Sequence, residues 1–220
     1  MVKIIIAGRR RAGLTRAGLS CHLRQVHGPM VVSPPEDAGP MPAGYVQNHV
    51  RDGVYPASGP AMGVDLDFVT EVWFASPELA RASLATPYYE TVLRPDEPRF
   101  VNLDSVWRCL AIEEEVKAAT VTGSHKAFLF WAGVEGFEQA WGEARAVCNG
   151  RAQRWVANHT RPMPGAPSAC FAGVDEVWLE DGADVQPVYD AMLERLSGHV
   201  DAAACCFVVV EEFTTQRLRG

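Results

Sequence analysis

A handful of side chains in this 220-residue chain could do acid/base chemistry, and they fall close together in the first third of it. His27 sits in the stretch "LRQVHGPMVV", followed at once by Gly28 and Pro29. Imidazole titrates nearest neutrality of all side chains, which suits proton transfer. The same position suits a helix end, because a histidinium is favoured at the negative end of the helix dipole and Gly-Pro is a stop signal. His49 follows in "YVQNHV", with Tyr45 and Asn48 on the same short run. Together they suggest a scheme: His27 as general base or acid, with His49 or Tyr45 polarising a carbonyl oxygen. Asn48, Glu71 and Trp73 are the substrate-binding candidates. An inward Glu71 would have a raised pKa and could itself act as acid or base. The alternation of its strand, "DFVTEVWFA", favours an outward, solvated glutamate instead, and Trp73 reads first as core.

Other chemistries are set aside. There is no GxSxG, no GxGxxG, no GxxxxGK[ST] and no HExxH, hence no nucleophile elbow, usual phosphate cradle or zincin pair. An iron site built from His27, His49 and Glu71, or a haem on a lone histidine, is the weaker alternative; the expectation is no metal and no cofactor. A net charge of −7 argues against nucleic acid as a partner. No apolar run reaches the roughly 20 residues of a membrane span. Six cysteines in mostly apolar context, without CxxC spacing, read as reduced thiols and so as a cytoplasmic protein.

The elements that must position these residues come in a recurring order. "KIIIAG" reads as a buried strand, and Thr15 caps a helix that runs to His27. A Pro/Gly-rich loop, "SPPEDAGPMPAG", leads to the strand "YVQNHV". A second such loop, "YPASGPAMG", precedes the strand at 67–75. Ser76-Pro77 opens another helix toward Thr86, and a strand around 105–112 ends in three glutamates. The order is β-α-β-β-α-β. It then returns: "HKAFLFWAG" mirrors the opening strand, Asn158-His159 echoes Asn48-His49, Glu176-Val177-Trp178 echoes Glu71-Val72-Trp73, and "ACCFVVVEE" echoes the closing strand. An internal repeat of this length fixes the architecture before any functional argument. It predicts an α+β chain with a first repeat over 1–116, a linker over 117–124 and a degenerate second repeat over 125–220.

A βαββαβ unit is ferredoxin-like, with one sheet face under two helices and the other bare. Two such sheets in one chain can cover each other face to face, closing a barrel around a ligand-sized interior. At the place of His27-Gly28 the second repeat has Asn149-Gly150, so the histidine is the asymmetric feature, whereas Asn-His of the strand is kept in both. That makes His27 a better functional candidate than His49.

The run "VKIIIAGRRRAGLTRAGLSCHLRQVHGP", then "YVQNHVRD", "VTEVWFASPELARASLATPYY" and "DEPRFVN", resembles the EthD-like family of the dimeric α/β-barrel group. Members and relatives of that group include muconolactone isomerases, polyketide cyclases and dehydratases, cofactor-free oxygenases of anthrone-type phenols and haem-degrading enzymes. The resemblance implies a cavity for a small, mostly apolar ligand more than it implies one reaction. The leading expectation is a cofactor-free isomerase, cyclase or dehydratase moving protons next to a carbonyl, with homodimer formation an option. A non-catalytic binder of a hydrophobic metabolite and a cofactor-free oxygenase of phenols are the alternatives.

Overall fold

The computed structural model describes residues 1–54, 66–119, 125–163 and 171–216. The loop "YPASGPAMG", most of the 117–124 linker and Cys170 therefore lie outside the described residues. Eight strands form one closed antiparallel barrel: β1 (Val2–Gly8), β2 (Gly44–Val50), β3 (Phe68–Phe74), β4 (Trp107–Lys117), β5 (Lys126–Trp131), β6 (Arg154–Pro162), β7 (Gly173–Trp178) and β8 (Cys206–Gln216). Neighbour order is β4-β1-β3-β2 in the first four and β8-β5-β7-β6 in the last four. The barrel closes where β2 pairs with β8 and β4 with β6. Both β4 and β8 are longer than their sequences suggest, because each must pair on both edges. The three glutamates expected to end β4 instead lie within it, against Ala157, Val156 and Asn158 of β6.

Helices pack on the outer faces. In the first half these are α1 (Arg16–His22, Leu23–His27 and Gly28–Val32 in succession), α2 (Pro77–Ser83) and α3 (Tyr89–Leu93 continuing through Arg94–Asp96). Thr15 caps α1 by accepting from the Gly18 amide, and Ser76 caps α2 by accepting from Leu79, as their side chains predict. In the second half they are α4 (Phe137–Cys148) and α5 (Gln186–Arg195).

Two findings differ from expectation. Glu71 points into the barrel and is only 1% exposed. The barrel interior is also packed rather than hollow. Ile5, Ala7, Val69, Phe128, Phe130, Val174 and Val208 fill one part of it. A layer of charge fills the next. Lys3 Nζ is 2.7 Å from Glu71 Oε1 and also pairs with Glu176 and with Glu113 Oε1 at 2.9 Å. Lys126 Nζ lies 2.6 Å from Glu71 Oε2, 2.8 Å from Glu176 Oε2 and 3.1 Å from Glu212 Oε2. Asn48 Nδ2 donates to Glu71 Oε2 at 2.9 Å, and Asn158 Nδ2 to Glu176 Oε1 at 2.9 Å. Burial opposes the charge on both lysines, but the surrounding carboxylates outweigh it and raise their pKa values. Burial and then the neighbouring Glu176 raise the Glu71 pKa.

The helix layer of the second half is solid. Asp175, fully buried on β7, accepts from Trp131 Nε1 at 2.7 Å, Trp141 Nε1 at 2.8 Å and Trp155 Nε1 at 2.7 Å. Burial pushes its pKa up to about 6 against the pull of the three indole donors.

Two predictions follow from these buried charges. Lys3→Met leaves Glu176 and Glu71 without one of their cations, so it should destabilise the fold by about 3–5 kcal/mol. Urea unfolding that shows a loss below about 1 kcal/mol would contradict the role given to the cluster. Asp175 holds its proton more tightly folded than unfolded. Its contribution is therefore present below the unfolded carboxylate pKa, is lost as pH rises through about 6, and amounts to roughly 3 kcal/mol. Tryptophan emission should titrate near pH 6, and Asp175→Asn should abolish that step.

Candidate functional site

The cavity lies between the helices and the sheet of the first half, not inside the barrel. Its volume is about 160 Å³, a size at which engineered cavities accept a benzene-sized guest. Ile4, Ile6, Thr70 and Val72 form the sheet side, Leu23, His27 and Val31 the α1 side. The Pro-rich loop after α1 roofs it with Pro34, Pro40 and Pro42. Proline brings no N–H to such a wall, so the loop covers an apolar space without leaving donors unpaired.

The same space in the second half is filled, and strand register shows why. Tyr45 stands opposite Val72 as Trp155 stands opposite Val177. Gly8 pairs with Phe68 where Trp131 pairs with Gly173. Ile6 pairs with Arg108 where Leu129 pairs with Phe207. Thr70 takes the place of Asp175, one residue before the matching glutamates. A Cβ on Gly173 would meet the Trp141 ring at 2.7 Å, so the second half gives up even a methyl group to seat its tryptophan.

His27 reaches the cavity by a route the sequence did not suggest. The Gly-Pro pair does not stop α1; the helix widens to a π turn at Leu23–His27 and continues through Gly28–Val32. Such turns shift a side chain off the regular helical spacing and recur at functional sites. Gly28 is fixed by contact, since a Cβ there would meet Gln47 Nε2 at 2.5 Å and the Leu23 carbonyl oxygen at 2.7 Å. At the corresponding place α4 does end, with Asn149 as its C-cap.

His27 Nδ1 donates to Asp96 Oδ2 at 3.1 Å, and His22 Nε2 donates to the same oxygen at 2.9 Å. An ionised carboxylate can only accept, so the neutral His27 tautomer carries its proton on Nδ1 and leaves the Nε2 lone pair for the cavity. Burial lowers the His27 pKa below its usual value, opposed by the hydrogen bond and charge of Asp96. Burial would raise Asp96, but the bonds from His22 and His27 outweigh it and hold the carboxyl low. Phe100 packs beside both imidazoles, with ring centroids 5.0 Å from His22 and 4.8 Å from His27.

Of the other sequence candidates, only Tyr45 shares this cavity, with burial pushing its pKa up to about 12. His49 does not line it. Its Nε2 donates to Gln47 Oε1 at 3.2 Å, its Nδ1 accepts from Ser20 Oγ at 2.6 Å, and its ring packs on Phe213 at 4.8 Å. Burial and then Arg24 lower its pKa to about 4, so it stays neutral and structural. Asn48, Glu71 and Trp73 lie on the opposite sheet face, because side chains alternate along a strand and Tyr45, Thr70 and Val72 take the cavity face. Trp73 Nε1 donates to Glu113 Oε2 at 2.8 Å inside the barrel. The iron alternative fails on the same geometry: His27, His49 and Glu71 are not brought together, and among the described residues no cluster of three metal-ligating side chains occurs.

Asp96, Tyr89, Glu97 and Arg108 were missed by sequence reasoning. The first three lie in "YYETVLRPDEPR", whose helical and 3-10 path brings Asp96 over α1; Arg108 hides in the apolar opening run of β4. Tyr89 Oη donates to Glu97 Oε1 at 2.8 Å, and burial pushes its pKa up to about 12.

Residues 11–104 match the EthD domain family. A solved structure described as an anthrone oxidase-like protein covers 100% of this chain and 95% of its own, at 10% identity and a TM-score of 0.59. A proposed monooxygenase of Fusobacterium nucleatum covers 99% and 98%, at 5% identity and 0.53. A chlorite dismutase variant of Candidatus Nitrospira defluvii covers 96% and 91%, at 9% identity and 0.50. Identities this low establish the fold alone. Among curated proteins none matches the chain. No helix among the described residues is long and apolar enough to cross a membrane.

Gly28→Ala should shift α1 off β2 and destabilise the protein by about 1–3 kcal/mol, since one of its two clashes is with backbone. Unchanged thermal stability would mean the α1 contact is looser than this geometry.

Proposed function

We propose that this protein is a cofactor-independent enzyme that moves a proton next to a carbonyl on a small, mostly apolar ring compound. The observation that carries the reading is the His27–Asp96 pair at the wall of an apolar cavity. In this mechanism Nε2 of the neutral imidazole removes the proton. Asp96 fixes the Nδ1–H tautomer and stabilises the imidazolium that forms, as an orienting carboxylate does for other histidine bases. Tyr45 supplies a hydroxyl that stays protonated across the neutral range. His22 donates to the same Asp96 oxygen and so helps hold that carboxylate ionised and in place beside His27.

The chain is further read as two copies of one βαββαβ unit, residues 1–116 and 125–220 joined through 117–124, with sheets facing each other. The recurring strand order and the matched Lys3/Lys126, Glu71/Glu176 and Asn48/Asn158 positions support it. On this reading the second copy is a plugged, structural one. The description of one fold neighbour as anthrone oxidase-like brings a second reading, a cofactor-free oxygenase of phenols, which would begin with the same deprotonation.

The test needs no natural substrate. Exchange of the α-protons of 2-tetralone and cyclohexanone in D₂O, followed by NMR, should be accelerated by the wild-type protein. His27→Asn should fold normally and lose about 100-fold or more of that rate. A base with a lowered pKa keeps its activity at neutral pH and loses it as the pH falls below the usual imidazole range. Exchange no faster than buffer despite ketone binding would favour a carrier protein. An equal rate in folded His27→Asn would remove the histidine from the mechanism. Dioxygen uptake with a phenol in place of the ketone would select the oxygenase.

A further inference from the structure

Arg108 is out of keeping with the cavity it lines. It sits on β4 opposite Ile6, in a space otherwise bounded mainly by apolar side chains. No carboxylate among the described residues forms an ion pair with it; the neutral hydroxyl of Tyr89 is a polar neighbour. The nearest acid on the cavity wall, Glu97, is engaged by the Tyr89 hydroxyl at 2.8 Å. Tyr89 thus gives its proton to Glu97, and no ion pair neutralises the guanidinium. A guanidinium carries several N–H donors in a planar fork that suits an oxyanion. A cation at such a place disfavours neutral guests alone, because its desolvation is repaid only by a counter-charge. The second half supports this reading. Where its cavity is filled, the position of Arg108 is Phe207, fully buried and uncharged.

From this we infer that the cavity binds a single-ring organic anion, whose carboxylate or aryl oxyanion is held by Arg108. The inference deepens the enzyme reading above by naming the substrate class. It rests on that reading only for the claim that the bound anion is turned over. Carboxylate and phenolate present the same oxygen charge to the fork, and binding measurements can separate them.

Isothermal titration of wild-type protein with benzoate, with 4-nitrophenolate above its pKa, and with the neutral isostere benzamide tests the inference. At least one anion should bind tenfold or more tightly than benzamide, and which one does so identifies the oxygen carrier. Arg108→Gln should lose tenfold or more of that anion's affinity while leaving benzamide unchanged, and Arg108→Lys should recover part of it. Circular dichroism checks folding; if the glutamine variant unfolds, Arg108→Lys with its weaker, single-point contact carries the comparison. Equal binding of anions and benzamide, or anion affinity unaffected by substitution of Arg108, overturns the inference. Because the readout is binding, anion selectivity without any proton exchange would sink the enzyme reading and leave this one standing.

Discussion

The arrangement of this molecule depends on a cluster of charge sealed inside its barrel. Lys3 and Lys126 each touch both Glu71 and Glu176, so each lysine holds one carboxylate from its own group of four strands and one from the other. Removing four charged groups from water is costly, and the mutual attraction repays it only in a well-fitted geometry. That requirement is a strong register constraint. A slip of one residue at β2–β8 or β4–β6 would turn Asn48, Asn158, Glu113 and Glu212 to the wrong face and strip the cluster of its outer partners. The apolar half of the barrel is less selective, because Val, Ile and Phe can repack.

Filling the barrel with charge and ring carbon determines where a ligand can go. With these side chains inside the barrel, the cavity forms between a sheet and its own helices. The helix layer over the first four strands holds the cavity, and the layer over the last four is filled. Three indoles converging on Asp175 make a rigid plug, since every N–H finds an acceptor and the carboxylate receives all three. On the other side Gly8, Tyr45 and Thr70 occupy the corresponding places and leave the volume open. The asymmetry lies in a few side chains, not in the architecture.

Much of the fold was legible because it rests on local rules. Caps at Thr15 and Ser76, alternation in the strands and the matched Asn-His and Glu-Val-Trp runs are readable without tertiary knowledge. The face taken by Glu71 was not. An isolated glutamate in a strand reads as solvent-facing, and only the meeting of β1, β3, β5 and β7 supplies the two lysines that make burial tolerable. The same holds for the site. His27 and Tyr45 were found by residue type, whereas Asp96 and Arg108 matter through partners distant in sequence. His49 had the right chemistry and the wrong address, since Ser20 and Gln47 occupy both its ring nitrogens.

The sequence His27-Gly28-Pro29 then takes on a different meaning from a helix stop. Pro29 cannot donate to the turn before it, and a regular helix would be weakened there. The π turn at Leu23–His27 absorbs that irregularity and lets the helix continue over the cavity. Gly28 allows α1 to lie directly on Gln47, which in turn donates to the Leu23 carbonyl at 2.7 Å and ties the widened turn to the sheet. The histidine is thereby held from both ends, by backbone packing beneath and by Asp96 at its ring. A base used for proton transfer needs such restraint, because a displacement on the order of 1 Å can cost about 100-fold in rate. The irregular turn is thus what brings an imidazole, rather than another apolar side chain, to the wall of the open cavity.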